Sequence, residues 1–337
     1  MDYSNITIEK DLQIVFMGTP VFAVPVLEGL LEHYKVRAVV TQPDRPGNHG
    51  QITSSPIKQV ANEHAILVLQ PEKIKEDYQE IINLKPDLII TCAYGQILPR
   101  QLLECPRLGC INVHASLLPK LRGGAPIHKA IIEGHKKTGI TIMYMNMGMD
   151  EGDIISQEEI EITDTDTASS LHDKLTILGR DLLLKTLPSI INGTNSRTKQ
   201  DSSLATYAFT LKKSDEKINF DLTKRQIYNQ IRGLNSYPGS YCIFAGKILK
   251  VWESYITENY PMGFNGQITA IYKDGIGVKV SNGEIVLKTV QPEGRNKMSA
   301  IDFINGLRDK DIVGKVLEWK KLFNLLKKCG QINELEQ

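Results

Sequence analysis

Short apolar runs alternate with amphipathic stretches through the first half of the chain, the pattern of βαβ units around a parallel sheet buried on both faces. Residues 12–18 (LQIVFMG) read as a first strand and 21–34 as the helix after its turn. Residues 36–42 and 66–71 read as further strands, with helices over 55–65 and 74–84. Two more apolar strands follow at 86–95 and 109–116, separated by a helix-like stretch at 97–108; 138–148 is strand-like, and 169–193 is a long amphipathic helix closed by Gly193. The fold class expected is α/β, a doubly wound and mostly parallel sheet.

The pattern changes after Gly193. Residues 194–209 are polar and read as a linker. Residues 217–234 look helical, and short strand-like runs follow at 240–246, 248–256, 266–272, 275–281 and 284–291, punctuated by Gly and Asn. Strands at that spacing indicate a small barrel or sandwich, with an OB-like β-barrel as one solution. The expected organisation is therefore a domain over 1–193, a linker over 194–209, a β-barrel domain over 210–320 and an extra helix and tail over 321–337. Neither that tail nor the first ten residues suggests a function.

Charge is unevenly spread along this pattern. The chain of 337 residues has a net charge of only +1, yet Lys212 to Lys328 holds 20 Lys and Arg against 12 Asp and Glu, a net of +8. The second half is thus a candidate polyanion-facing surface. No run approaches the roughly 20 apolar residues of a membrane span, and the first residues lack the basic then apolar order of a secretory signal. Five cysteines, Cys92, Cys105, Cys110, Cys242 and Cys329, include no CxxC pair, so neither a disulfide framework nor a metal site is expected. These features fit a cytoplasmic protein.

Ligands of doubly wound sheets bind where strands end. Asn112 and His114 stand two residues apart at the end of an apolar strand, hence on one face of it, before a loop rich in Pro and Gly. Asp150 and Asp153 stand in a Gly-punctuated loop after a later strand. An amide donor, an imidazole and a carboxylate on strand-end loops suit acyl transfer to an amine: Asn112 and His114 could stabilise a developing oxyanion, and Asp150 could orient the imidazole. By themselves such residues are more often a hydrogen-bonded core His and a turn-forming Asp. Gly18-Thr19-Pro20 follows the first strand, but neither GxGxxG nor GxxxxGK[ST] is present, which argues against NAD and ATP. Met143, Met145, Met147 and Met149 alternate in the manner of one strand face and read as core packing.

The run Asn112-Val113-His114-Ala115-Ser116-Leu117-Leu118-Pro119, then Arg122-Gly123-Gly124-Ala125-Pro126, resembles the signature of folate-dependent formyltransferases, and Gly148-Met149-Asp150-Glu151-Gly152-Asp153 resembles their second signature. The resemblance implies that Asn112, His114 and Asp150 are catalytic and that the donor is 10-formyltetrahydrofolate. It also implies a folate site lined by Ser116, Leu117, Leu118 and Pro119, with Ala93, Tyr94, Gly95 and Ile97 flanking the pterin. Residues 16–30 and 39–46, and in the basic half 231–254 and 287–308, are similar to the branch of the family that acts on methionyl-initiator tRNA. Resemblance thus runs over roughly residues 10 to 320. For such a substrate the tRNA contacts expected are at Arg45, His49, Arg122, Lys212, Lys213, Lys217, Arg232, Lys247 and Lys250, since affinity for RNA comes largely from Lys and Arg against phosphates. No protein partner or membrane is implied.

One departure stands out. After Asp44-Arg45-Pro46 the family usually carries a Gly-rich loop with Arg and Lys that wedges into the tRNA acceptor end. Here Gly47-Asn48-His49-Gly50-Gln51-Ile52 is one residue shorter and has no Lys or Arg before Lys58. His49 could replace the missing cation only when protonated. A sugar-nucleotide acceptor with the same folate donor is therefore the alternative expectation, and a non-catalytic RNA-binding protein is a more distant one.

Overall fold

The computed structural model describes residues 12–46 and 52–317, and in it the alternating pattern of the first half becomes a seven-stranded sheet flanked by helices. The strands of this half are β1 (Ile14–Gly18), β2 (Val36–Val40), a small hairpin of β3 (Arg45–Pro46) and β4 (Ile52–Thr53), β5 (Leu67–Leu69), β6 (Leu88–Cys92), β7 (Cys110–His114), β8 (Lys137–Tyr144) and β9 (Ile154–Glu161). The helices are α1 (Val24–His33), α2 (Pro56–Glu63), α3 (Gln79–Asn83), α4 (Arg100–Glu104), α5 (Pro126–Ile132) and α6 (Ala168–Ile191). The sheet order is β5-β2-β1-β6-β7-β8-β9. Pairings from β5 to β7 are parallel, and β8 and β9 are antiparallel additions.

Alternate residues of the central strands serve opposite faces. Val15, Met17, Ile89 and Cys110 join Ile81 of α3 and Leu102 of α4 in one buried cluster. On the other face Gly179 of α6 lies against Val113 and Ile140, and Gly29 of α1 lies against Arg180 and Leu184 of α6. The strand order reverses between β1 and β6, the switch point at which such sheets take ligands.

Two expectations are corrected here, and one strand is added. The helix expected over 74–84 shrinks to α3. The Ile74 amide is bound by Gln96 Oε1 at 2.9 Å, and the Lys73 carbonyl takes both Glu76 and Asp77 amides in a separate turn. β9, which the hydrophobic pattern does not predict, is an edge strand whose IISQEEIE text lacks clean alternation and buries only Ile155. Residues 194–209 are no free linker: Thr198 pairs with Ile154, Tyr207 pairs with Arg122, and Gln200 is only 6% exposed. Among the described residues the chain divides into two compact units, one of residues 12–46, 52–127, 136–162 and 170–210, the other of 128–135, 163–169 and 211–317.

The second unit is built on an antiparallel sheet of order β10-β11-β14-β13-β12, from β10 (Ser240–Phe244), β11 (Lys247–Ile256), β12 (Ile268–Tyr272), β13 (Gly275–Val280) and β14 (Gly283–Pro292), with β15 (Met298–Ser299) beside β14. The five expected strands are all present. Helices α7 (Lys224–Gly233) and α8 (Ala300–Asn305) contribute Ile227, Ile231, Phe303 and Ile304 to a core with Val251, Val278 and Leu287. Thr223 caps α7 by accepting from the Gln226 amide, while Gln226 Oε1 accepts from the Thr223 amide. The extra helix expected over 321–337 lies outside the described residues.

A buried carboxylate ties this unit together. Glu284 on β14 is 1% exposed and accepts from Thr257, Asn259, Thr269 and Tyr272. Burial pushes its pKa up, but those hydrogen bonds outweigh burial and hold it below the usual carboxylate range. A depressed folded-state pKa contributes stability that is present above the unfolded pKa and lost as pH falls through the folded value. The Glu284→Leu variant should lose about 1–3 kcal/mol by urea unfolding at neutral pH. The deficit should shrink below about pH 4 as the parent carboxylate protonates; equal stability at pH 7 would contradict this role.

Candidate active site

Cys110, Asn112 and His114 share a face of β7, and because Cys110 is already in the core, Asn112 and His114 come at the strand's open end. Beside them on β6, Thr91 Oγ1 donates to Asn112 Oδ1 at 2.8 Å. With its oxygen so engaged, the Asn112 amide group has its two N–H donors for other use.

His114 is 6% exposed and its ring is held at one nitrogen by a hydrogen bond. Nε2 lies 3.1 Å from the Leu121 carbonyl oxygen. A carbonyl only accepts, so Nε2 carries the proton and Nδ1 of the neutral ring carries the lone pair. Nδ1 faces Asp150, with Oδ2 at 3.8 Å. That separation is too long for a direct hydrogen bond. Asp150, expected to orient the ring, lies beside it without a hydrogen bond, and the Leu121 carbonyl orients the ring instead.

Asp150 is itself held in an unusual pose. Its φ is +50°, its Oδ2 accepts from the Gly123 amide at 2.8 Å, and its carbonyl accepts from Gln200 Nε2 at 2.8 Å. Gly123 has φ +114°, and a Cβ there would come within 2.8 Å of the Ala208 carbonyl oxygen, so the amide that meets Asp150 requires glycine. Gly152 leaves no room for a side chain because its α-carbon lies against the Tyr144 carbonyl.

A cavity of about 530 Å³ opens at the sheet's switch point, within the usual range for small-molecule sites. Thr19 and Pro20 after β1, Gln42 and Arg45 after β2, and Ala93 and Gly95 after β6 line it. The Gly18-Thr19-Pro20 turn therefore does approach a ligand-sized space. The Tyr94 carbonyl accepts from Thr19 Oγ1 at 3.1 Å and Gln42 Nε2 at 3.0 Å, tying three of the lining residues together.

Residues expected to line a folate site divide by burial. Ile97 is 59% exposed, while Ala93 and Gly95 present backbone with positive φ. Tyr94 sends its ring into the core. Leu118 is buried, Leu117 packs at Gly139 of β8, and Pro119 is half-buried. Ser116 is fully buried, and its hydroxyl donates to the Lys120 carbonyl at 2.6 Å, so it holds the turn.

Two expected tRNA contacts are corrected. Arg122 is 2% exposed and its guanidinium donates twice to Gln200 Oε1, at 2.8 and 3.2 Å. Arg232 is 7% exposed and donates to the Thr163 and Asp166 carbonyls and to Asn229 Oδ1; burial lowers its pKa. Neither can face a phosphate. Lys213 is engaged by Glu216, and half-buried Lys250 donates to the Pro238 carbonyl. Arg45, Lys212, Lys217 and Lys247 are exposed, and His49 lies outside the described residues. The methionine stripe is half right: Met143 is buried and Met145 partly so, but Met147 and Met149 lie past the end of β8 and are 61% and 48% exposed. Sequence reasoning missed Thr91, the Leu121 carbonyl and Gln200.

Cys92 ends β6 and Cys110 begins β7, and burial drives both thiols far up, Cys110 to about 12 with Cys105 adding to the effect. Neither can supply a thiolate nucleophile near neutrality. Iodoacetamide at pH 7 should modify half-buried Cys105 ahead of Cys92 and Cys110. Peptide mapping that finds Cys92 or Cys110 alkylated first would contradict this.

Comparison with known proteins agrees with this architecture. A family described as formyl transferase matches residues 12–187, and one described as formyl transferase, C-terminal domain, matches 210–308. The methionyl-tRNA formyltransferase of Bacillus subtilis (strain 168) is 50% identical over 299 residues, covering 87% of this chain and 94% of its own. That of Geobacillus sp. (strain WCH70) is 49% identical over 300 residues, covering 88% and 94%. Among solved structures, the N-formyltransferase from Helicobacter canadensis in complex with folinic acid and dTDP-3-aminofucose superposes with a TM-score of 0.63 at 23% identity, covering 82% of this chain and 99% of that one. At that identity the likeness concerns the fold.

Proposed function

The chain belongs to the formyl transferase family, and from that premise we propose that it moves the formyl group of 10-formyltetrahydrofolate to the α-amino group of methionyl-initiator tRNA. The observation that carries the chemistry is the convergence of Asn112, His114 and Asp150 at the open end of the sheet. High identity to the methionyl-tRNA relatives across both family segments supports tRNA over an amino-sugar nucleotide as acceptor.

Folate supplies an activated formyl group on nitrogen, and the acceptor amine is the nucleophile, so no Ser or Cys is needed. Attack forms the new C–N bond and places negative charge on the formyl oxygen. Asn112 donates its amide N–H to that oxygen. His114 Nδ1 takes the proton that the amine loses and returns it to the nitrogen that departs; the Asp150 carboxylate stabilises the imidazolium in between. The backbone of Ala93 and Gly95 and the side chain of Ile97 flank the folate. Exposed Lys212, Lys217 and Lys247 face the RNA, with Arg45 at the rim of the cavity. Among the described residues no helix is long and apolar enough to cross a membrane, and a role in translation initiation places the protein in the cytoplasm.

Purified protein given 10-formyltetrahydrofolate should formylate methionyl-initiator tRNA and leave an amino-sugar nucleotide unreacted. The reverse preference would overturn the reading. Alanine at Asn112, His114 or Asp150 should each lower kcat by about 100-fold or more. Full turnover in any of the three removes that residue from the mechanism. Affinity for tRNA should fall as salt rises, and the Lys212→Ala, Lys217→Ala and Lys247→Ala variants should each flatten that dependence; a salt slope unchanged in all three would remove these residues from the RNA surface.

A further inference from the structure

Gln200 lies in the segment that sequence reading takes for a linker, yet every polar atom of its side chain is engaged. Nε2 donates to the Asp150 carbonyl and to the Gly152 carbonyl, each at 2.8 Å. Oε1 accepts from Arg122 Nε at 3.2 Å and from a terminal nitrogen of the same guanidinium at 2.8 Å. Both residues are buried, Gln200 at 6% and Arg122 at 2% exposure. Arginine has donors and no acceptor, so the Gln200 oxygen has to face it and the amide nitrogen has to face the two carbonyls. The buried charge also polarises the amide, strengthening its N–H donors.

The same segment reaches Asp150 by a second route. Arg122 N donates to the Thr206 carbonyl at 2.9 Å, and Ala208 N donates to the Arg122 carbonyl at 2.7 Å. This pairing sets the position of Gly123, whose amide holds the Asp150 carboxylate. Residues 200–208 thus fix the main chain of Asp150 through Gln200 and its side chain through Gly123. The first of these holds the main chain of Asp150 at a φ of +50°, a conformation disfavoured for residues with a Cβ.

We propose that Gln200, oriented by buried Arg122, is a positioning residue for the reaction: its amide clamps the 150–152 loop so that the Asp150 carboxylate stays beside His114. The proposal rests on the catalytic reading of Asp150 above. It gives the signature Arg a task inside the protein in place of the expected RNA contact.

Gln200→Glu separates clamping from mere support of Arg122. The carboxylate keeps, and strengthens, the contact to the guanidinium, but it has no N–H for the two carbonyls. Gln200→Met removes both functions without adding charge. For folded variants, the proposal predicts that both lose kcat by up to about 100-fold, the scale expected of a misplaced catalytic group. KM for folate and for methionyl-tRNA should stay within about twofold, because a displaced Asp150 affects the chemical step more than binding. Thermal unfolding would show Gln200→Glu at least as stable as Gln200→Met. A folded variant of either kind with the parent kcat overturns the proposal, as does a loss confined to KM. Failure of both variants to fold would make Gln200 a residue of fold stability and overturn it too. Asp150→Asn is measured alongside: an unchanged kcat there would sink the catalytic reading itself, whereas a loss there with full activity in Gln200→Glu would sink only the clamp.

Discussion

The hydrogen bond between His114 Nε2 and the Leu121 carbonyl is the constraint on which the site depends. It spends one ring nitrogen on the backbone and thereby commits the other, Nδ1, to the side where Asp150 waits at 3.8 Å. A free imidazole would divide its time between tautomers and rotamers. Here the loop that leaves β7 doubles back to present its own carbonyl, with Leu121 at φ +59°, so the chain that delivers the catalytic residue also sets its protonation pattern.

The surrounding structure maintains that geometry. Parallel strands bring Thr91 and Asn112 level at the same end of the sheet, and Thr91 takes the Asn112 oxygen so that its amide donors are presented together with the imidazole. Buried apolar strands on both sides give these polar groups a setting of low dielectric, in which a fixed donor acts more strongly on a developing charge than it would in water. The antiparallel strand β8 then returns the chain towards the 146–153 loop, and residues 200–208 complete the enclosure from a part of the sequence with no apolar pattern at all.

Much of this was legible in the sequence because the central strands are buried on both faces and therefore read as continuous apolar runs; β1, β2, β6 and β7 were all visible for that reason. Five of the six strands described in the second unit, β10 to β14, were visible from their Gly and Asn punctuation. Asn112, His114 and Asp150 could be singled out from strand-end position and signature. What stayed hidden was of another kind. The Leu121 carbonyl belongs to the backbone and leaves no mark on residue identity. Arg122 and Arg232 read as surface cations because burial of a guanidinium depends on carbonyls and amides supplied by distant segments, such as Thr163, Asp166 and Gln200. Gln200 sits among Lys199, Asp201 and Ser202, in text that composition alone assigns to solvent.

The most direct measurement is the nitrogen chemical shift of the His114 ring in protein labelled with 15N-histidine, recorded at a pH where the ring is neutral and assigned by comparison with a His114→Gln variant. The ring should show the Nε2–H tautomer, with an unprotonated Nδ1 resonance, because the Leu121 carbonyl can only accept. A ring protonated at Nδ1, or one that averages between the two tautomers, would mean that the carbonyl does not hold the imidazole. The proton-transfer role assigned to Nδ1 would then fall with it.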